Sequence, residues 1–350
     1  MMLMVTCPEW ISGKESYIDC MHGGSVPDKV INSYCWISGT FSVRELYRDF
    51  DTEVGWDVSQ TGVGPYKPGS NDIEVKAYYQ WVPFVLFLQG MMFYIPHLIF
   101  KAVEEGKVKK LLGGLARYNL NKENRKEGIG TLAKYQVDTL GVHDGWSIRT
   151  LLAHTLYLVN VIGQIFFTDC FLGYQFSTYG VSAASFVEME EQGRTDPMSR
   201  VFPRVTKCTF HKYGPSGNIQ RHDAQCVLPI NILNEKIYVF LWFWFMILTI
   251  LTIFDVFHHF GLLWFTGARE MIFRRKLRTC PKHKVEGKVE RGEIDVSLVS
   301  RSLSHGDWAL CYHLIKNMDA VTYGEWLEAM TDLLRSANPP VLPQSLLNNF

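Results

Sequence analysis

Apolar residues come in blocks along this chain, separated by long polar stretches. The longest block, residues 237–254, runs for eighteen positions without a charge, a proline or a glycine. At ~1.5 Å per residue it makes roughly 27 Å of helix, close to the ~30 Å hydrocarbon core of a bilayer. Buried helices of soluble proteins are also apolar all round, but their apolar runs are shorter, about 10–14 residues. Trp242 and Trp244 near one end, and Trp264 with the basic residues from Arg269 beyond the other, read as interfacial anchors. Two further blocks, 78–100 and 150–172, are also nearly free of charge. Tyr78, Tyr79 and Trp81 read as an aromatic belt, and Pro83 and Pro96 as kinks. Asn160 and Gln164 are four residues apart, on one helical face, and predict hydrogen bonds to a neighbouring helix. Residues 1–5 form an apolar scrap that reads as the last turn of an earlier span.

The pattern predicts an all-α integral membrane protein, a transmembrane helical bundle with three complete spans. The segments are 1–5, a span remnant; 6–77, a polar loop; 78–100, a span; 101–149, a second loop; 150–172, a span; 173–236, a third loop; 237–265, a span with its inner interface; and 266–350, a helical tail. Within the first loop Asp28 is expected to cap a short helix with Val30, Ile31 and Tyr34 on one face. In the tail, Ser304 is expected to cap a helix carrying Trp308, Leu310, Leu314 and Ile315. Thr322 and Glu325 read as a capping box ahead of Trp326.

Charge then orients the chain. Overall it is balanced, 35 basic against 35 acidic residues, which gives no case for nucleic acid. Residues 101–149 hold 10 basic and 6 acidic side chains, whereas residues 6–77 hold 6 basic and 11 acidic. Residues 269–284 add seven more basic side chains. The positive-inside rule puts the basic segments in the cytoplasm and the 6–77 and 173–236 loops outside. Cysteines agree: Cys20, Cys35, Cys208 and Cys226 fall in the outside loops as a disulfide framework, while Cys280 and Cys311 fall inside and stay reduced. No CxxC pair or zinc spacing occurs, and no N-x-[ST] sequon.

Enzymatic motifs are missing: there is no GxSxG, HExxH or P-loop. Asp255, His258 and His259 are at most half of a membrane di-iron site, so neither a metal nor another cofactor is expected. The basic run from Arg269 could meet anionic lipid, although a topogenic flank explains it more simply. Residue types alone leave a channel, an adhesion protein or a receptor.

Several stretches narrow that choice. Tyr78, Tyr79, Gln80, Trp81, Pro83 and Phe84 stand in a YYQWVPF string that resembles the signature heading the second span of the innexins, the invertebrate gap-junction channel family. Residues 34–37 (YCWI), 160–165 (NVIGQI), Asp196 with Pro197, residues 201–244 and Gly306-Asp307-Trp308 resemble the same family, so the similarity covers nearly the whole chain. The resemblance implies four spans, cytoplasmic termini and assembly with other innexin subunits, homomeric or mixed, into a ring around a wide pore. Such rings sit in the plasma membrane and dock across apposed cells, passing ions and small metabolites. It also implies the pairings Cys20–Cys226 and Cys35–Cys208, among three that four cysteines permit. Met21, His22, Asp28 and Lys29 are then expected near the outer mouth of the pore. A chain starting at Met1 departs from the family pattern in its first span. For such a chain, a non-conducting adhesion or scaffold protein, or a dominant-negative short isoform, is the alternative.

Overall fold

The computed structural model describes residues 17–24, 26–47, 62–64, 69, 71–113, 115, 122–188, 197–281, 289 and 291–337. The expected span remnant at 1–5 lies outside them, as do Asp196, Lys282 and Lys284. The described residues form two compact units, one within 1–94 and 160–250, the other within 95–159 and 251–350. The boundaries between units fall inside three long helices.

In chain order the elements are β1 (Asp19–Met21), α1 (Asp28–Ser38), β2 (Thr40–Val43), β3 (Ile73–Lys76), α2 (Val82–Glu104), α3 (Lys107–Leu112), α4 (Lys122–Asp138), α5 (Asp144–Phe171), α6 (Phe176–Glu188) and α7 (Pro197–Val201). They continue with β4 (Val205–Tyr213), β5 (Ile219–Val227), α8 (Pro229–Trp264), α9 (Thr266–Leu277), α10 (Val296–Ser302), α11 (His305–Asn317) and α12 (Ala320–Ala337). α2, α5 and α8 are long and apolar enough to cross a membrane. The chain is thus mainly helical, as its apolar blocks predict.

The helix boundaries differ from the block boundaries for local reasons. α2 begins at Val82, because Tyr78–Gln80 form a 3-10 turn in front of it. Pro83 therefore lies in the first turn, where its missing N–H has no helical partner to lose, and the kink expected there is not required. Pro96 is the proline inside the helix. α8 starts at Pro229, well before the apolar run, and its first two turns bury the polar residues Asn231, Asn234 and Glu235. There Asn231 donates to the Pro203 carbonyl at 2.7 Å, and the fully buried Glu235 carboxylate meets Arg204 and Lys236, each at 2.7 Å.

The first unit also contains a five-stranded antiparallel sheet, ordered β1-β5-β4-β2-β3, that the helical reading of the sequence did not include. β4 and β5 pair along all nine residues. Their period-two pattern is legible in hindsight: Thr206, Cys208, Ala224 and Cys226 face the core. Gly217 in the connecting turn has φ of +78°, a conformation that glycine adopts without a Cβ clash. Beneath the sheet, Ile31, Tyr79, Phe176, Phe202, Leu228 and Tyr238 form a closed apolar core.

Polar glue in this unit comes from an unexpected pair. Gln89 on α2 donates to Thr168 Oγ1 on α5 at 2.8 Å. Gln164 is fully buried, but its side-chain amide makes no hydrogen bond among the described residues, so the role expected of Asn160 and Gln164 passes to Gln89 and Thr168. Trp242 is also more than an interfacial anchor: its indole donates to the Ser177 carbonyl and lies against Gly180. A Cβ at Gly180 would stand 2.0 Å from that ring.

The second unit is all helical. Phe273, Trp308, Leu310, Leu314, Tyr323, Trp326 and Leu327 are among its fully buried side chains. Ser304 caps α11, and Asp307 completes the capping box. α12 starts earlier than expected. Asp319 accepts from the amides of Val321 and Thr322, so Thr322 lies inside the helix and does not cap it. Glu325 is instead gripped through both oxygens by Arg125 of α4, at 2.7 and 3.0 Å. Arg269, expected on a basic surface, is buried and donates to the Leu303 carbonyl.

Candidate functional site

Two disulfides organise the first unit, Cys20–Cys226 and Cys35–Cys208. They bond α1 and β1, from the first polar segment, to β4 and β5, from the second. Cys20 and Cys226 are already register partners of β1 and β5, so the covalent bond and the ladder hold the same pairing. The Cys20 amide donates to Asn32 Oδ1 at 2.9 Å, which fixes β1 against α1. All four cysteines are buried. The result is a sheet that neither segment could make alone. Cys35 lies within α1, which is capped differently from expectation. Pro27 holds the cap position in an extended conformation, and Asp28 falls in the first turn. Its carboxylate there is favoured by the helix dipole.

The YYQWVPF residues act as a clasp at the head of α2. Tyr78 donates to the Val201 carbonyl at 3.0 Å, and Gln80 donates to the Trp36 carbonyl at the end of α1. Tyr79 is buried with its ring 4.8 Å from that of Trp36. Tyr78 and Tyr79 therefore face inward, and of the three residues expected as a belt only Trp81 is exposed. Pro83 fixes the first helical turn that follows.

Met21, His22, Asp28 and Lys29 come close together at the junction of β1 and α1. Met21 and Asp28 are largely exposed, and Lys29 is exposed as well. The His22 ring is buried and tied at both nitrogens. Nε2 lies 3.2 Å from Asp28 Oδ1, and Nδ1 accepts from the Gly24 amide at 3.1 Å. Met21 and His22 also border an open hollow with Lys207 and Asp223, which form an ion pair at 2.7 Å.

In the second unit, Gly306, Asp307 and Trp308 each do something different. A Cβ on Gly306 would stand 2.3 Å from the Asp144 amide nitrogen, so only glycine lets the start of α11 meet the start of α5. The Asp144 carboxylate accepts from the Gly306 amide and from Ser304 Oγ. Asp307 accepts from the Gly141 amide at 2.7 Å and faces His143 Nδ1 at 2.8 Å. Burial pushes its carboxyl upward, but the bonds from Gly141, His143 and Ser304 outweigh it and hold the group below the usual carboxylate range. Trp308 is fully buried and its indole donates to the Leu262 carbonyl at 2.9 Å. Cys280 and Cys311 are buried free thiols, and burial raises both above the ordinary thiol value. That keeps them protonated and unreactive.

Sequence reasoning missed Gln89 with Thr168, Arg125 with Glu325, and Gly180 beneath Trp242. Only the last had a visible signal, a glycine inside an apolar helical stretch.

Comparison with known proteins bears on the whole of this arrangement. A family model described as Innexin matches residues 1–334. The chain is 41% identical to Innexin inx2 of Drosophila melanogaster, over 95% of this chain and 85% of the relative. It is 38% identical to Innexin inx3 of the same species, over 95% and 80%. It is 35% identical to Innexin shaking-B, over 95% and 85%. With the disulfide-closed sheet, the aromatic clasp and the three apolar helices all on one chain, this protein belongs to the innexin family of gap-junction channel subunits.

Proposed function

We propose that the chain assembles with other innexin subunits into a plasma-membrane ring, and that its disulfide-closed sheet is the extracellular surface through which rings on apposed cells dock. The observation that carries this reading is the sheet itself, built from two segments far apart in sequence and closed by two covalent bonds. Disulfides persist on the oxidising side of a membrane, and the buried thiols Cys280 and Cys311 suit the reducing side. The basic excess in 101–149 and in the run 269–284 supports the same orientation.

A rigid sheet suits docking because little conformational freedom is lost when two rings meet. Ions and small metabolites are the cargo of this proposal. Met21, His22, Asp28 and Lys29 border the outer mouth, with the exposed Asp28 and Lys29 supplying charge to passing ions. Arg275 and Arg278, exposed on and just after α9, are the candidates for contact with anionic lipid.

The test is junctional conductance and dye transfer between paired cells that each express the chain, alone or with a relative. Coupling by the wild type, lost in Cys35→Ser while unpaired cells still make the protein, is the expected result. Surface-delivered protein that adheres cells without current or dye transfer, alone and in mixtures, would sink the channel reading in favour of an adhesion role.

A further inference from the structure

Phe265 alone separates the end of α8 from the start of α9. Twenty positions along α8 part Trp244 from Trp264, ~30 Å of helical rise, which matches the hydrocarbon core of a bilayer. With Trp244 at one interface, Trp264 falls at the other, just past the apolar stretch that ends at Leu262. α9 therefore starts in the headgroup layer. Its surroundings fit that depth. Phe257, Phe260 and Trp264 succeed one another at helical spacing on an exposed face of α8, and the Phe260 and Trp264 rings stack with centroids 5.2 Å apart. Phe265 and Met271 are open as well, at 67% and 70% exposure. Large apolar side chains grouped this way beyond a span call for a cover, and the interfacial layer of a bilayer supplies one.

The charges of α9 are sorted by direction. Arg269 and Lys276 turn into the protein and donate to the Leu303 and Met318 carbonyls. Arg274 is exposed but paired with Glu270 at 2.7 Å. Arg275 and Arg278 are exposed, and their side chains make no hydrogen bond or ion pair among the described residues. Met271, Arg275 and Arg278 stand at i, i+4 and i+7, on one face. Residues 269–284 hold a single acidic side chain, Glu270, against the seven basic ones. A topogenic flank needs only the number of positive charges. A face that combines open apolar groups with unpaired guanidiniums suits a membrane surface.

We propose that α9, with Trp264 and Phe265 before it, is a binding surface for anionic phospholipid of the phosphatidylserine class. Trp264, Phe265 and Met271 enter the headgroup layer, and Arg275 and Arg278 grip headgroup phosphate and carboxylate oxygens, which the planar guanidinium matches in pairs. A zwitterionic headgroup carries its own ammonium, which the two arginines repel. The surface rests on the cytoplasmic orientation proposed for the tail, where the anionic leaflet lies. On the other side of α9, Phe273 is buried against the rings of Trp308 and Trp326, so lipid contact also holds the core of the tail to the bilayer.

The test uses the full chain reconstituted in bilayers of equal parts phosphatidylcholine and phosphatidylserine. The protein is then extracted in mild detergent and the phospholipid still bound is counted by class. The wild type should retain phosphatidylserine in excess, each arginine contributing roughly fivefold. Arg275→Gln with Arg278→Gln should abolish the excess, and Thr279→Glu, which puts a negative charge beside Arg278, should weaken it. Arg301→Gln, at an exposed arginine elsewhere in the tail, should leave it unchanged. Wild-type protein that retains the two lipids alike, or a double glutamine variant that keeps the full excess, would overturn the proposal. The readout needs no coupling between cells. A chain that couples cells but shows no excess overturns this surface alone, and a chain that forms no junction still decides it.

Discussion

The two units of this protein are closed by different physics. In the first, covalent bonds join segments separated by 206 and 173 residues, and a sheet forms around them. In the second there is no disulfide among the described residues, and its cysteines are buried as thiols. Long-range closure there comes from aromatic packing and directed hydrogen bonds. Trp308 reaches Leu262, Trp326 reaches Gln136, Asp307 reaches Gly141 and His143, and Arg125 reaches Glu325. The contrast shows how one chain fixes distant segments in two ways, by covalent bonds in one unit and by packing and hydrogen bonds in the other. A covalent link acts mainly by restricting the unfolded chain, whereas a packed helical core acts through burial in the folded one.

That difference can be broken experimentally, and the largest effect belongs to the first unit. With one disulfide intact, the other closes a ring of roughly 35 residues, worth about 4 kcal/mol in the chain-entropy account; removing both costs roughly twice that. Cys35→Ser together with Cys20→Ser should therefore abolish the folded sheet, read as loss of protease resistance in residues 197–228. Cys280→Ser and Cys311→Ser, in the other unit, should leave that resistance unchanged.

Within the second unit, Trp326→Ala should come next, at about 3–5 kcal/mol, because it opens a large cavity and strands the Gln136 amide. A drop in the thermal midpoint of the tail, with the disulfides still formed on a non-reducing gel, would place the damage where the comparison predicts. Acid should separate the units further. The Asp307 carboxyl is held below its unfolded value, so its contribution is full above the ordinary carboxylate range and fades as pH falls through the depressed folded value. Asp295 and Asp319, also depressed, act in the same direction. Lowering pH through that window should loosen the tail before the sheet, and Asp307→Asn should remove part of the dependence, both followed by limited proteolysis. The smallest effect is expected from Arg125→Ala. It breaks a two-pronged but partly exposed ion pair, worth on the order of 1 kcal/mol, and should shift the tail's midpoint by a few degrees or less.

The YYQWVPF string illustrates how legible function was without the fold. Its family was recognisable, yet the sequence misassigned its physical role. Aromatic residues next to an apolar block read as a membrane belt, and only the packing of Trp36 and Val201 turns Tyr78 and Tyr79 inward. Asp28 and Thr322 failed as caps for a similar reason. A capping residue is recognisable by type, but which of two neighbouring polar residues takes the position depends on where the chain enters the helix.

The sequence by itself determined the three long helices, the sign of the charge on each polar segment and the division of cysteines into two classes. These are local or additive properties: length, hydropathy and composition set them before any segment meets another. Tertiary structure alone decided which segments share a sheet, why Gly180 and Gly306 must be glycine, and which polar residue becomes the interhelical link. It also brought His154 to Asp255 and His259, across 101 residues of chain. Such pairings depend on what a residue meets after folding, and neither spacing nor periodicity along the chain records that.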